Sequence, residues 1–214
     1  MQRDLHDLRK TYSKSELNES TLTQEPLALF NTWFTDAKAH ELIEEANAMS
    51  LSTVGADGFP KNRIVLLKEI DEDSFVFYTN YTSEKGEAIL AHGQVCLHFF
   101  WPALERQVII KAIATKVPTA QSQAYFNSRP RGSQLGAWAS AQSSVVDSRS
   151  HLEGELLRYE ELFKDKDIPL PDFWGGFTCK PISYEFWQGR PNRLHDRIFY
   201  EEENNSWNIK RLAP

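Results

Sequence analysis

Apolar residues recur along this chain with two different periods, and the places where the period changes divide it. Residues 1–25 are polar and rich in Ser, Thr and Glu, which predicts an arm able to order on a ligand or partner. Pro26 then opens a helical pattern in which Leu29, Phe30, Trp33, Phe34 and Ala37 fall at three- and four-residue spacing. From residue 48 the pattern shortens to strand-like runs at 49–54, 63–70, 74–79, 95–101 and 106–117, separated by Gly- and Asp-rich turns. A short helix at 84–92 interrupts them, with Ser83 placed as its cap and Gly93 at its end. A second helix is expected at 119–127, followed by a long irregular loop over 128–147, where Pro, Gly, Ser and Arg are mixed. Long loops of that kind are usually functional. Ser150-His151-Leu152-Glu153 reads as a capping box for a helix carrying Leu152, Leu156, Tyr159 and Phe163 on one stripe. Strands at 173–180, 183–188, 197–200 and 207–212 close the chain. The expected architecture is mainly β with helices added, an antiparallel β-barrel and not a βαβ fold.

Composition narrows the function classes. The chain has 214 residues, of which 41% are hydrophobic and 12% aromatic, enough for one substantial core. Its formal net charge is -6, so nucleic acid is not an expected partner. An anion would have to be held by a local basic cluster. The two cysteines make no CxxC pair, and Met1 to Asp4 lead into charged residues, not an apolar run. A disulfide framework, a secretion signal and a membrane span are therefore not expected, and a cytoplasmic setting is. The six histidines are scattered without metal spacing, so no metal is expected. No glycine-rich dinucleotide or nucleotide loop and no GxSxG elbow is present.

Four segments carry candidate chemistry. Arg63 to Lys68 is an apolar strand bracketed by cations that would lie on opposite faces of a regular strand. Tyr125 to Ser133 gathers a phenol, two guanidiniums and two hydroxyls, groups suited to phosphate oxygens. Gln142-Ser143-Ser144 offers amide and hydroxyl groups, although alone it is weak and an ordinary polar turn explains it better. In Glu185 to Arg197, an extended backbone would place Arg193, His195 and Arg197 on one face beside Trp187. Such clustered cations call for an anionic partner and would lower the His195 pKa, with Asp196 pointing away. An anion-binding chain without a metal points to an organic cofactor as the source of reactivity.

These residues resemble a known family. RIVLLK at 63–68, FYTNYTSEK at 77–85, LERQV at 104–108, YFNSRPRGSQLGAWAS at 125–140, QSS at 142–144, PDFWGGF at 171–177, EFWQGRPNRLHDR at 185–197 and the final RLAP are similar to pyridoxine/pyridoxamine 5'-phosphate oxidases. The resemblance implies a split β-barrel homodimer with FMN at the subunit interface. It implies an arm over 1–25 and a single oxidase domain over 26–214. FMN contacts would fall on Arg63, Ile64, Val65, Leu66, Leu67 and Lys68, on Tyr78, Thr79 and Lys85, and on Gln107, Gln142, Ser143, Trp187 and Arg197. Substrate contacts would fall on Lys68, Tyr125, Arg129 and Ser133, on Arg193 and His195, and on Arg9 and Tyr12 in the arm.

By the same resemblance, a hydride passes from C4' of pyridoxine or pyridoxamine 5'-phosphate to FMN, and O2 is the final acceptor. The products are pyridoxal 5'-phosphate, H2O2 and, from the amine, ammonia. Arg193 and His195 would be the catalytic pair, placing the reacting carbon over the flavin. One departure stands out: Glu84 precedes Lys85 where many relatives carry a basic residue, which implies weaker FMN affinity. The rivals are a flavin enzyme of the same fold acting on another substrate, and a non-catalytic carrier of flavin or vitamer.

Overall fold

The computed structural model describes residues 6–214; residues 1–5 of the expected arm lie outside the described residues. In chain order the elements are α1 (Pro26–Ala39), β1 (Ala48–Val54), β2 (Pro60–Leu66), β3 (Glu69–Asp71), β4 (Ser74–Asn80) and α2 (Glu84–Ala91). They continue with β5 (Gln94–Trp101), β6 (Arg106–Lys116), α3 (Thr119–Ser128), α4 (Arg131–Ala139), α5 (Arg149–Leu162), β7 (Trp174–Gln188), β8 (Asp196–Glu203) and β9 (Ser206–Arg211). The strands are hydrogen-bonded in the order β2-β1-β5-β6-β7-β4-β3, with β8 added on β7 and β9 on β8. By backbone contacts the described residues form two compact units, 6–50, 97–111 and 182–214 in one and 51–96 with 112–181 in the other.

In the first unit, α1 forms where the apolar stripe requires it, with Pro26 in its first turn. Its buried face is Pro26, Leu29, Phe30, Trp33 and Ala37, while Phe34 is half-buried and stacks on Phe30. Phe30 meets Phe99 edge-on at 5.1 Å between ring centres, and Trp33 meets Phe186 at 5.3 Å. Truncating such a fully buried ring as Phe30 to alanine would cost about 3–5 kcal/mol. The Trp101 indole N–H donates to the Ala46 carbonyl at 3.0 Å, so this large side chain is buried with its polar atom satisfied. β7, β8 and β9 pair antiparallel, with Trp187 opposite Arg197 and Tyr200 opposite Ile209.

In the second unit, β4 pairs antiparallel with β3 and with β7, placing Tyr78 opposite Gly176 and Asn80 opposite Trp174. Ser83 caps α2, accepting from the Gly86 N–H at 3.3 Å. Gly86 has no room for a side chain, because a Cβ there would lie 2.6 Å from the Asn80 carbonyl oxygen. A second core gathers Phe126, Leu135, Ile168 and Trp174.

Four expectations change. Residues 131–139 are helical, not part of an irregular loop, because Leu135 gains burial in that second core. The cap of α5 is Ser148, which accepts from the His151 N–H at 3.2 Å, so the capping residue lies two positions before Ser150. The strand expected at 63–70 is broken at Leu67 and Lys68 into β2 and β3. The strands expected at 173–180 and 183–188 are one strand, β7, running through Pro181.

Candidate active site

The second unit holds a cavity of about 610 Å³ whose lining includes three cations, Lys68, Lys85 and Arg129, and no carboxylate. Several elements supply its wall. β2 contributes Ile64, Val65 and Leu66, and the break after β2 brings in Lys68, whose backbone N–H donates to the Val76 carbonyl at 2.9 Å. β4 contributes Tyr78, Thr79 and Asn80, and α2 contributes Lys85. Tyr125 comes from α3, Ser133 from the first turn of α4, and Trp174 from the start of β7. Gln142 lies on the loop after α4, where its Oε1 accepts from the Thr79 hydroxyl at 3.3 Å.

The charges in this cavity are under-compensated. Arg129 lies over the Trp174 ring at 4.7 Å, and its Nη1 atom is buried without a hydrogen-bond partner. Burial lowers the Arg129 pKa against an opposing influence from Tyr125. Lys85 is buried, with its Nζ donating to the Ser83 hydroxyl at 3.3 Å. Burial, then the Arg63 charge, lowers the Lys85 pKa, while Glu84 opposes the change. The Glu84 carboxylate itself pairs with Lys61 outside the lining. The start of α4 adds the positive end of a helix at the cavity edge, a further preference for an anion.

Tyr78 and Tyr125 stack at 3.9 Å, with their rings within 16° of parallel. The Tyr78 hydroxyl donates to Glu69 Oε1 at 2.7 Å, and Gln121 donates to Glu69 Oε2 at 2.8 Å. Burial, aided by that hydrogen bond and the Glu69 charge, raises the Tyr78 pKa well above the usual tyrosine value. Tyr78 therefore stays a neutral, fixed ring. Glu69 and Trp174 were not singled out as site residues from the sequence. The only signals were the position of Glu69 next to Lys68 and the PDFWGGF motif around Trp174.

The first unit holds a separate cleft of about 530 Å³ lined by Leu8 to Tyr12 and by Arg190, Asn192, Arg193 and His195. Residues 191–193 form a tight turn, with Asn192 and Arg193 in left-handed backbone at φ 57° and 62°. That turn ends the extended run on which a shared face for Arg193, His195 and Arg197 was expected. Arg197 instead donates to Glu185 Oε1 at 2.8 Å and to the Ala213 carbonyl at 2.7 Å, and does not line the cleft. Arg190, not singled out individually in the sequence, takes a place in it. The Arg190 backbone N–H donates to Nδ1 of His195 at 3.0 Å, which leaves Nε2 to carry the ring proton. Burial, then the Arg193 charge, lowers the His195 pKa, with Asp196 opposing, so the ring is neutral near pH 7. Trp187 flanks His195 at 4.7 Å, and the Tyr12 ring meets both edge-on at 5.6–5.7 Å.

Of the remaining expected contacts, Arg63 points its Nη1 at the Leu51 carbonyl, the Thr53 hydroxyl and the Lys61 carbonyl, 2.8–3.0 Å away. Leu67 is buried. Gln107 Oε1 lies 3.0 Å from His98 Nε2, and Ser143 is exposed in left-handed backbone at φ 74°. None of these four lines either the cavity or the cleft.

Comparison with known proteins decides the family. Residues 35–163 match the family model described as pyridoxamine 5'-phosphate oxidase, and residues 174–214 match the pyridoxine 5'-phosphate oxidase C-terminal dimerisation region. The chain is 51% identical over 214 residues to a pyridoxine/pyridoxamine 5'-phosphate oxidase from Christiangramia forsetii, covering 100% of both proteins. The chain belongs to the pyridoxamine 5'-phosphate oxidase family. A second oxidase of this name, from Flavobacterium johnsoniae, is 54% identical over 211 residues, covering 98% of this chain and 99% of the relative. Among solved structures, PhzG from Burkholderia lata 383 in complex with tetrahydrophenazine-1-carboxylic acid superposes with a TM-score of 0.84. It has 26% identity and covers 91% of this chain and 95% of its own. The fold is accordingly the split β-barrel of the family, mainly antiparallel sheet with helices added, as expected. Among the described residues no helix is long and apolar enough to cross a membrane.

Proposed function

We propose that this chain is an FMN-dependent oxidase that converts pyridoxine 5'-phosphate and pyridoxamine 5'-phosphate to pyridoxal 5'-phosphate. O2 is the acceptor, H2O2 is released, and the amine also yields ammonia. It works as a cytoplasmic homodimer with FMN at the subunit interface, as an arm over 1–25 and one oxidase domain over 26–214. The observation that carries this reading is the carboxylate-free cavity with its buried, unpartnered Arg129 Nη1. A dianionic phosphate is the chemical complement of such a wall.

The residues present fit FMN. Lys85, buried and repelled by Arg63, favours a phosphate, and Thr79 with Gln142 offers polar atoms for a heterocycle edge. The apolar residues Ile64, Val65 and Leu66 of β2 also line the cavity, where an aromatic ring system would meet them. Arg63, Tyr78, Ser143, Gln107, Trp187 and Arg197, with Leu67 and Lys68, complete the FMN set on this reading. Bound FMN supplies the two-electron acceptor that no side chain here provides.

The protein's own contribution is binding, orientation and hydrogen bonding. Lys68, Tyr125, Arg129 and Ser133 hold the vitamin phosphate, with the Arg129 fork supplying direction as well as charge. His195 presents an N–H at Nε2 from a neutral ring, so it donates a hydrogen bond without adding positive charge. Arg193, set by its left-handed backbone, orients the substrate, and Arg9 and Tyr12 enclose it.

The test is peroxide release from purified protein, measured with each vitamer and with and without added FMN. The expected result is FMN-dependent turnover of both phosphorylated vitamers and retention of yellow flavin through gel filtration at dimer mass. FMN-loaded protein that binds a vitamer but makes no peroxide would overturn the oxidase reading.

A further inference from the structure

Glu105 lines neither the cavity nor the cleft, yet it is the one buried carboxylate among the described residues, at 2% exposure. It ends the turn after β5 in left-handed backbone, φ 57°, and belongs to the LERQV motif, in which only Gln107 was expected to have a role. A carboxylate taken out of water is unfavourable unless its oxygens find donors. Here the donors come from the N-terminal arm. Glu105 Oε2 accepts from the backbone N–H groups of Ser13 at 2.8 Å and Lys14 at 3.0 Å, and Oε1 pairs with Lys10 at 3.2 Å. Burial pushes the Glu105 pKa up, but the bonds from Lys14, Lys10 and Ser13 outweigh it and hold the carboxyl below its usual value. The Lys14 ammonium donates to the neighbouring Ala103 carbonyl.

The same residue also bonds to the end of β7 through its backbone. The Glu105 carbonyl accepts from the Gly189 N–H at 2.8 Å and from the Gln188 side chain at 3.2 Å. Gly189 in turn leaves the space that Tyr12 fills, because a Cβ there would lie 2.8 Å from Tyr12 Cβ and Cγ. One residue therefore ties the arm on one side and the strand leading to His195 on the other.

We propose that Glu105 is a positioning residue: its carboxylate pins the backbone of residues 13 and 14 so that Tyr12 is held against His195 and Trp187. This rests on the oxidase reading for its effect on substrate, but not for the pinning itself. The two Oε2 hydrogen bonds carry the effect, since the Lys10 pair is more than half exposed on the lysine side and is weak by comparison. Glu105→Gln keeps a carbonyl oxygen for both amides and should preserve the arm; Glu105→Ala should release it.

The experiment measures three quantities in FMN-loaded parent, Glu105→Ala and Glu105→Gln. They are hydrogen exchange at the Ser13 and Lys14 amides, the His195 ring proton shift, and KM and kcat for pyridoxamine 5'-phosphate. In Glu105→Ala, both amides should lose protection and the His195 signal should lose the ring-current shift from Tyr12. KM should rise about tenfold while kcat changes by less than about twofold, the scale of one charge-assisted hydrogen bond acting on binding. Glu105→Gln should restore all three. Protection retained in Glu105→Ala, or lost with KM and the His195 signal unchanged, overturns the proposal. If the parent makes no peroxide, the oxidase reading fails, and exchange with the His195 signal still decides the pinning. If Glu105→Ala does not fold, Gly189→Ala places a Cβ 2.8 Å from Tyr12 and 3.1 Å from the Glu105 Cβ and so displaces the same contact. An undisturbed His195 signal in that variant overturns the proposal equally.

Discussion

Replacing Arg129 with methionine separates a residue that serves a ligand from one that serves the fold. In the ligand-free protein two influences oppose each other. The buried Nη1 without a partner costs about 1–3 kcal/mol, while the guanidinium over Trp174 at 4.7 Å contributes about 0.5–2 kcal/mol. Methionine removes both and retains apolar contact with the ring. Stability should therefore stay within about 1 kcal/mol of the parent, a shift in Tm of no more than about 4 °C for a chain of this size. In the complex, by contrast, the lost group is a charge-assisted hydrogen bond to phosphate worth about 1.5–3 kcal/mol. At about 1.4 kcal/mol per decade, KM for pyridoxamine 5'-phosphate should rise between about tenfold and a hundredfold.

The assay is peroxide release against substrate concentration, run in parallel with the unphosphorylated amine. Arg129→Met should erase most of the discrimination between the two amines, and flavin content should not change. Arg129→Lys keeps the charge but loses the fork, so it should fall between parent and methionine. An equal loss on both amines would mean that Arg129 does not read the phosphate. A Tm drop well beyond about 4 °C would mean that it serves the fold instead.

Glu84→Arg should tighten FMN binding about two- to fivefold at low salt, because it replaces an exposed anion near Lys85 and Arg63 with a cation and releases Lys61. A dissociation constant that does not tighten would refute the cost assigned to Glu84. His195 has its folded pKa lowered, so the unfolded chain takes up this proton first. Stability should fall as pH drops below about 6.5 and this loss should vanish in His195→Gln; a variant with the parent's pH profile would contradict it. Arg193→Ala removes one cause of that lowering and one orienting group, so it should raise the His195 pKa and reduce kcat at least about tenfold with FMN still bound. Near-normal turnover would remove Arg193 from the catalytic role. Cys179 is fully buried, and burial pushes its thiol up to about 12, so peptide mapping should find it alkylated only after unfolding.

Where one local rule governed, the sequence was readable. Pro26 and the stripe through Trp33 place α1, the strand-like run at 49–54 places β1, and Ser83 marks the start of α2. Reading failed where a distant contact overrides local preference. α4 carries Gly132 and Gly136 and follows Pro130, a composition that favours a loop. It is helical because Leu135 packs with Phe126, Ile168 and Trp174, none adjacent in sequence. The strands expected at 173–180 and 183–188 leave a gap that holds Pro181, and proline gives a sheet no N–H. Pairing of β7 with β4 ends at Cys179 and pairing with β8 begins at Ser183, so Pro181 interrupts neither of these two ladders, and β6 pairs with β7 as well.

The same distinction explains why the candidate site was legible in residue type but not in aim. Alternation assigned Arg63 and Lys68 to opposite faces, and Arg193, His195 and Arg197 to one. Both assignments assume that the backbone repeats. At Leu67 and Lys68 the strand stops, so Lys68 lines the cavity while Arg63 turns back on Leu51 and Thr53. At Asn192 and Arg193 two successive left-handed residues turn the chain, so Arg190 enters the cleft and Arg197 pairs with Glu185. Each interruption gives up regular hydrogen bonding or backbone ease to direct a cation that a continuous strand would have sent elsewhere. Periodicity is blind to such places by construction. A motif records them only as an unexplained string, and the geometry of the turn is what converts that string into an anion site.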